Sequence, residues 1–182
     1  WNYGGGGVSD QLFEAVAQLQ SEFPDLCLLV LGQGDLEAHL KQRARELNID
    51  AITQFAGFRT DIGDCMQAFD IGVQPSIDCE ASSFSVMEQM ATGKPIVTSD
   101  HGGTKEIVRD GVDGFVVPQG TVGPLAAALR KLIRDHALRH TIGASARQRV
   151  VDEFTLDMLA NRTLDAYRRA LAIRDARKRN VA

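Results

Sequence analysis

The stretch Leu26-Cys27-Leu28-Leu29-Val30-Leu31, closed by Gly32-Gln33-Gly34, decides the fold. A short apolar run bounded by turn residues suits a strand covered on both faces. The glycines end it and let the chain reverse. Ahead of it, Val8 to Phe23 sets Leu12, Phe13, Val16 and Leu19 at helical spacing, with Ser9 as the expected N-cap. Behind it, Asp35 to Leu47 reads as a second amphipathic helix. A buried strand between two such helices is the unit from which a parallel sheet is built.

The alternation runs on. Ile52 to Phe55 reads as a strand, Asp61 to Phe69 as a helix, and Ile71 to Gln74 as a strand ending at Pro75. Strand Pro95–Thr98, helix Thr104–Arg109 and strand Gly114–Val117 follow, then two or three helices from Val122 towards the carboxyl terminus. The pattern predicts an α/β fold, a doubly wound, Rossmann-like parallel sheet with helices on both faces. Residues 1–154 make up that domain, and residues 155–182 read as a C-terminal helix belonging to it. Ligands of such sheets bind beyond the carboxyl ends of the strands, where this chain places its Gly, Ser, Pro and Asp residues.

A chain of 182 residues, 44% hydrophobic and 24% charged, fits one soluble globular domain. No run approaches the roughly 18 apolar residues of a membrane span, and no segment has the pattern of a signal peptide. Cys27, Cys65 and Cys79 are odd in number and widely spaced, which argues against a disulfide framework and for a reduced, cytoplasmic chain. The net charge of −4 is unevenly spread. Residues 1–129 carry 7 basic against 18 acidic side chains, and residues 130–182 carry 13 against 6. Two readings follow: basic terminal helices that are solvated and pair with an acidic body, or a basic surface facing an anionic membrane or a partner domain. Nucleic acid is not an expected partner, because the basic segment offers only Phe154 and Tyr167 for stacking on bases.

The segment after Pro75 carries the chemistry. Glu80 and Glu88 stand either side of seven residues, three of them serines. The spacing predicts Glu80 in a loop and Glu88 in the first turn of a helix, with free backbone N–H groups between them aimed at an anion. Acceptors for hydroxyls beside donors for a diphosphate are what a nucleotide sugar requires. Ser85 and Glu88 also spell a capping box, which needs no ligand. Gly93 suits a helix C-cap, and Glu106 and Asp113 suit structural roles.

Six motifs in order resemble one family. They are LLVLGQGDL at 28–36, FAGF at 55–58, DIGVQPS at 70–76, the Glu80–Glu88 pair, MATGKPIVTSDHGGTKEIV at 90–108 and DGFVVP at 113–118. Together they resemble the C-terminal domain of retaining glycosyltransferases of the GT-B fold, family 4 or group 1. The resemblance implies that Glu80 is catalytic and contacts the transferred sugar, and that Glu88 binds the ribose hydroxyls. It implies that the backbone of Ser83, Phe84 and Ser85 approaches the diphosphate, that the base lies near Gly57, Phe58 and Arg59, and that Gly102 and Gly103 line the pocket. It implies a nucleotide-diphosphate sugar as substrate with no metal and no cofactor, and a separate N-terminal acceptor-binding domain without which this half is inactive. The implied location is cytoplasmic, with the basic C-terminal segment meeting the inner membrane face.

Two alternatives stand beside it: a non-catalytic nucleotide-binding or interaction module, and a fragment of a GT-B-type nucleotide-sugar epimerase. The amino terminus departs from the family pattern. Trp1 to Tyr3 matches the end of the family's first strand, but Gly4–Gly7 stands where the family has an Arg and a Lys on the donor phosphates. Weak binding of a nucleoside diphosphate is therefore expected. The final helix, with Leu156, Met158, Leu159, Leu164, Tyr167 and Leu171 as its apolar stripe, is expected to pack on the acidic body through its first half.

Overall fold

Among the described residues two parallel sheets form the centre of the molecule. Strand β1 (Leu28–Leu31) pairs with β2 (Thr53–Gly57), and β3 (Gly72–Gln74), β4 (Ile96–Ser99) and β5 (Gly114–Val117) pair in that order. The computed structural model describes residues 10–77 and 84–179, with side chains described as far as Arg174. Trp1–Ser9, which include the expected N-cap and the glycine run, and the expected site residues Glu80 and Ser83 lie outside the described residues.

The helices are α1 (Asp10–Leu19), α2 (Glu37–Glu46), α3 (Ile62–Ala68), α4 (Phe84–Ala91), α5 (Thr104–Ile107), α6 (Val122–Arg134), α7 (His136–Glu153) and α8 (Leu156–Arg179), with a 3₁₀ turn at Asp50–Ile52. Successive residues of β4 point to opposite faces, and each face has its own core. Val97 joins Phe13, Val16 and Leu19 of α1 and Leu125, Leu129 and Leu132 of α6. Ile96 joins Val86 and Met90 of α4, Ile107 of α5 and Ala146 of α7. Helices on both faces of parallel strands are the doubly wound arrangement expected from the sequence.

On the second face, α7 comes unusually close to the turn between α4 and β4. A Cβ on Gly143 would fall on the Gly93 carbonyl, so the helix rests directly on backbone. Asp113, with no exposed side-chain surface, fastens the same helix. It accepts hydrogen bonds from Arg109 Nε and Nη2, both at 2.7 Å, and from Ser145 Oγ at 2.8 Å, with Arg149 Nε at 3.6 Å. Burial pushes its carboxyl up, but the hydrogen bonds from Arg109 and Ser145 outweigh this and hold it below the usual carboxylate range. The structural role expected for Asp113 is the one it plays.

Two expectations about packing fail. Cys27 lies outside the strand and is exposed, because β1 begins only at Leu28. Helix α8 does not lean on the acidic body: Leu156 is 83% exposed, and every residue from Leu159 to Arg174 is exposed. The apolar positions of α8 are too dispersed among charges to make a continuous buried face.

Candidate functional site

The polar residues gather where the three-stranded sheet ends. Its strands are parallel, so Gln74, Ser99 and Val117 lie on one edge. Beneath that edge is a buried hydrogen-bond network. Gln74 Nε2 donates to Ser76 Oγ at 3.0 Å, and Thr98 Oγ1 donates to the Gln74 carbonyl at 3.1 Å. Ser99 Oγ donates to the Ser76 carbonyl. Ser85 Oγ reaches Gln74 Oε1 at 3.4 Å. These bonds join β3, β4 and the start of α4 into one rigid floor, and they satisfy polar groups that would otherwise be costly to bury.

The rim stands on this floor. Gly102, at φ +47°, turns the chain between β4 and α5, a backbone conformation that strains a residue bearing a Cβ. Gly103 then stands immediately before α5. The rim is braced from below: Asp100 pairs with Lys105 at 2.6 Å, its N–H donates to the Val117 carbonyl at 2.7 Å, and Gln119 Nε2 donates to its carbonyl at 3.0 Å.

His101 lies just beyond β4, ahead of Gly102 and Gly103. Its side chain is only 4% exposed. Nδ1 lies 3.1 Å from the Ser99 carbonyl, a pure acceptor, which assigns the proton to Nδ1 and a lone pair to Nε2. Nε2 is buried and has no hydrogen-bond partner among the described residues. An unspent acceptor at a strand's carboxyl end is a rare thing to keep. The only sequence signal was the place of His101 between β4 and two glycines.

The other expected residues are distributed as follows. Gly57 ends β2 with φ +65° and open space where a Cβ would stand. Phe58 next to it is 64% exposed. Arg59 is committed to a bidentate pair with Asp61, at 2.7 and 2.5 Å. The hydrogen bond from Arg59 holds the Asp61 carboxyl below its ordinary range. Phe84 opens α4 and is 74% exposed. Glu88 is exposed and has no hydrogen-bond partner among the described residues. Glu80 and Ser83 lie outside the described residues, so no position is assigned to them.

Two details of this segment need correction. Helix α4 begins at Phe84, so Ser85 sits inside the helix and is not its N-cap. Its hydroxyl turns inward to Gln74. For the same reason Glu88 lies in the second turn of α4, not the first. The Gly93 N–H donates to the Met90 carbonyl at 3.0 Å, which closes the helix as expected.

Among the described residues no group of three or more His, Cys, Asp or Glu side chains is placed to hold a metal ion. No described helix is long and apolar enough to cross a membrane.

The chain is similar to known glycosyltransferases. It is 33% identical over 132 residues to the amylovoran biosynthesis glycosyltransferase AmsK of Erwinia amylovora, covering 69% of this chain and 32% of that one. It is 32% identical over 158 residues to the phosphatidyl-myo-inositol mannosyltransferase of Mycobacterium leprae, covering 86% and 41%. Its fold matches the crystal structure of Anabaena HepE in complex with UDP at a TM-score of 0.84 and 25% identity, over 91% of this chain and 47% of that one. The chain thus spans less than half the length of each of these proteins. The sequence model of glycosyl transferases group 1 matches residues 9–149, and the chain belongs to that family.

Proposed function

We propose that this chain is the donor-binding part of a retaining glycosyltransferase. It holds a nucleotide-diphosphate sugar at the carboxyl edge of the sheet, while a separate acceptor-binding domain brings the second substrate. The observation that carries the reading is the arrangement of groups on that edge. A braced glycine turn at Gly102-Gly103, the amino end of α4 and the exposed carboxylate of Glu88, without a hydrogen-bond partner among the described residues, all rise from one hydrogen-bonded floor.

Each part has a task. The first N–H groups of α4, with the helix dipole behind them, suit a diphosphate. Glu88 accepts hydrogen bonds from a ribose diol, and an ionised acceptor makes such bonds stronger. Gly57, with open space above it, and exposed Phe58 offer a surface for the base, and Arg59 is held by Asp61 at its side. His101 Nε2 is a further acceptor near that edge. Glu80 is assigned to the transferred sugar by resemblance alone. HepE, similar in fold, has been solved with UDP and with UDP-glucose. Helix dipoles and backbone donors neutralise the diphosphate, so no metal is needed. The protein works in the cytoplasm, and the exposed arginines of α8 favour an anionic membrane face.

Calorimetric titration with UDP, GDP and their sugars, with and without EDTA, tests this. One base is expected to bind, and EDTA is expected to change nothing. Glu88→Ala should weaken binding about ten-fold or more, the worth of one charge-assisted hydrogen bond. No binding by any of the panel, or binding indifferent to Glu88, refutes the reading.

A further inference from the structure

His136 opens α7, and His140 follows it one turn later; both side chains are exposed. A spacing of four residues puts two side chains on one face of a helix. The two rings meet edge to face, with centroids 4.5 Å apart and planes inclined at 64°. That separation has a chemical meaning. An imidazole nitrogen bound to a metal lies about 2.1 Å from the ion, which puts the ring centre about 3.2 Å away. Two such rings stand about 4.5 Å apart when the ligand angle is about 90°, and about 5.2 Å apart when it is tetrahedral. The pair on α7 has the right-angle separation.

We propose that His136 and His140 form a chelating site for a divalent transition-metal ion of square-planar or octahedral preference, the class of Cu2+ and Ni2+. Each ring gives one nitrogen lone pair to the ion. Water completes the coordination, since among the described residues no third His, Cys, Asp or Glu groups with the pair. The surroundings admit a cation. The amino end of a helix opposes positive charge, but the N-cap Asp135 places a carboxylate one residue ahead of His136, its Oδ1 accepting the Leu138 N–H at 2.9 Å. The neighbouring guanidinium groups are committed elsewhere. Arg134 pairs with Glu22 at 2.8 Å, and Arg139 donates to the carbonyls of Leu132 and Ile133 at 2.8 and 2.9 Å. The chain's other two histidines make no such pair, because His39 is bonded to Asp10 and His101 is buried. Further along α7, Gly143 rests on the Gly93 carbonyl just ahead of β4, so the helix crosses the amino ends of the strands, opposite the donor edge. The metal site therefore holds or fails independently of what the donor site binds.

The probes are the chlorides of Cu2+, Ni2+ and Zn2+, added singly to tag-free protein, with binding read by calorimetry. Cu2+ and Ni2+ are expected to bind, and Zn2+ more weakly than either. His136→Ala and His140→Ala should each lower the affinity for Ni2+ about ten-fold or more, because the second bond of a chelate closes within the molecule. Both side chains are exposed, so the variants keep their fold, which far-ultraviolet circular dichroism checks. Bound Cu2+ should show two nitrogen ligands by electron paramagnetic resonance in the wild type and one in either variant. Ni2+ should raise the Tm of the wild type and leave that of the variants unchanged, since only the formed helix brings the rings together. Equal affinity in the wild type and the double variant would mean an adventitious ion only and would overturn the proposal. So would tighter binding of Zn2+ than of Ni2+, which fits the tetrahedral angle instead.

Discussion

Asp113 and His101 show opposite ways of burying a polar group. Asp113 spends its lone pairs on Arg109 and Ser145, so removing it takes from Arg109 its ion-pair partner, while Arg149 keeps Glu153 and the carbonyls of Glu106 and Ile107. Asp113→Ala should cost about 1–3 kcal/mol, measured by denaturant unfolding. The pH dependence follows from the same bonds. The folded carboxyl sits below its unfolded value, so its contribution is fully present above that value, near pH 4, and is lost as pH falls through the folded one. Acid unfolding of wild type should be steeper below about pH 4 than that of Asp113→Asn. His101 keeps an acceptor without a partner among the described residues. His101→Leu should therefore hold or raise the Tm while weakening donor binding, and a parallel loss of both would contradict a ligand role. Only one of these residues was legible beforehand. Asp113 follows Arg109 at helical spacing, a local signal, whereas the environment of His101 is made by Ser99 and Thr104 only after β4 and α5 have formed.

At the scale of elements, strands proved easiest to read and helix ends hardest. The β strands at 72–74, 96–99 and 114–117 match their apolar runs because both faces are covered, so composition alone marks them. Ser85 illustrates the limit. Its sequence spacing to Glu88 is that of a cap, but the helix starts one residue earlier and the hydroxyl finds Gln74, a partner on another element. The contact of α7 with Gly93 is equally invisible, since nothing near Gly143 in sequence announces it. It makes a sharp prediction. Gly to Ala inside a helix ordinarily stabilises by about 0.5–1 kcal/mol, but Gly143→Ala must push α7 off backbone that cannot give way. A loss of about 1–3 kcal/mol is expected, read from the shift of the urea midpoint. A gain in stability would mean that α7 sits farther from the sheet.

For the whole molecule, periodicity announced the doubly wound architecture, and the expectation of a ligand at the carboxyl edge of the strands rests on that architecture. The placement of α8 was missed: a stripe of leucines is compatible with burial but does not supply the surface to be buried against. Its exposure has a consequence for shape. A helix of 24 residues is about 36 Å long, while a compact chain of 182 residues has a radius of gyration of about 16 Å. The isolated protein should therefore scatter X-rays at small angles as a globule with a rod attached. Its radius of gyration should exceed the compact value, and it should sediment more slowly than its mass alone implies. Its rotational diffusion should be anisotropic. Removing residues 156–182 should restore a near-spherical particle, whereas a compact scattering profile for the intact chain would mean that the rod folds back in solution.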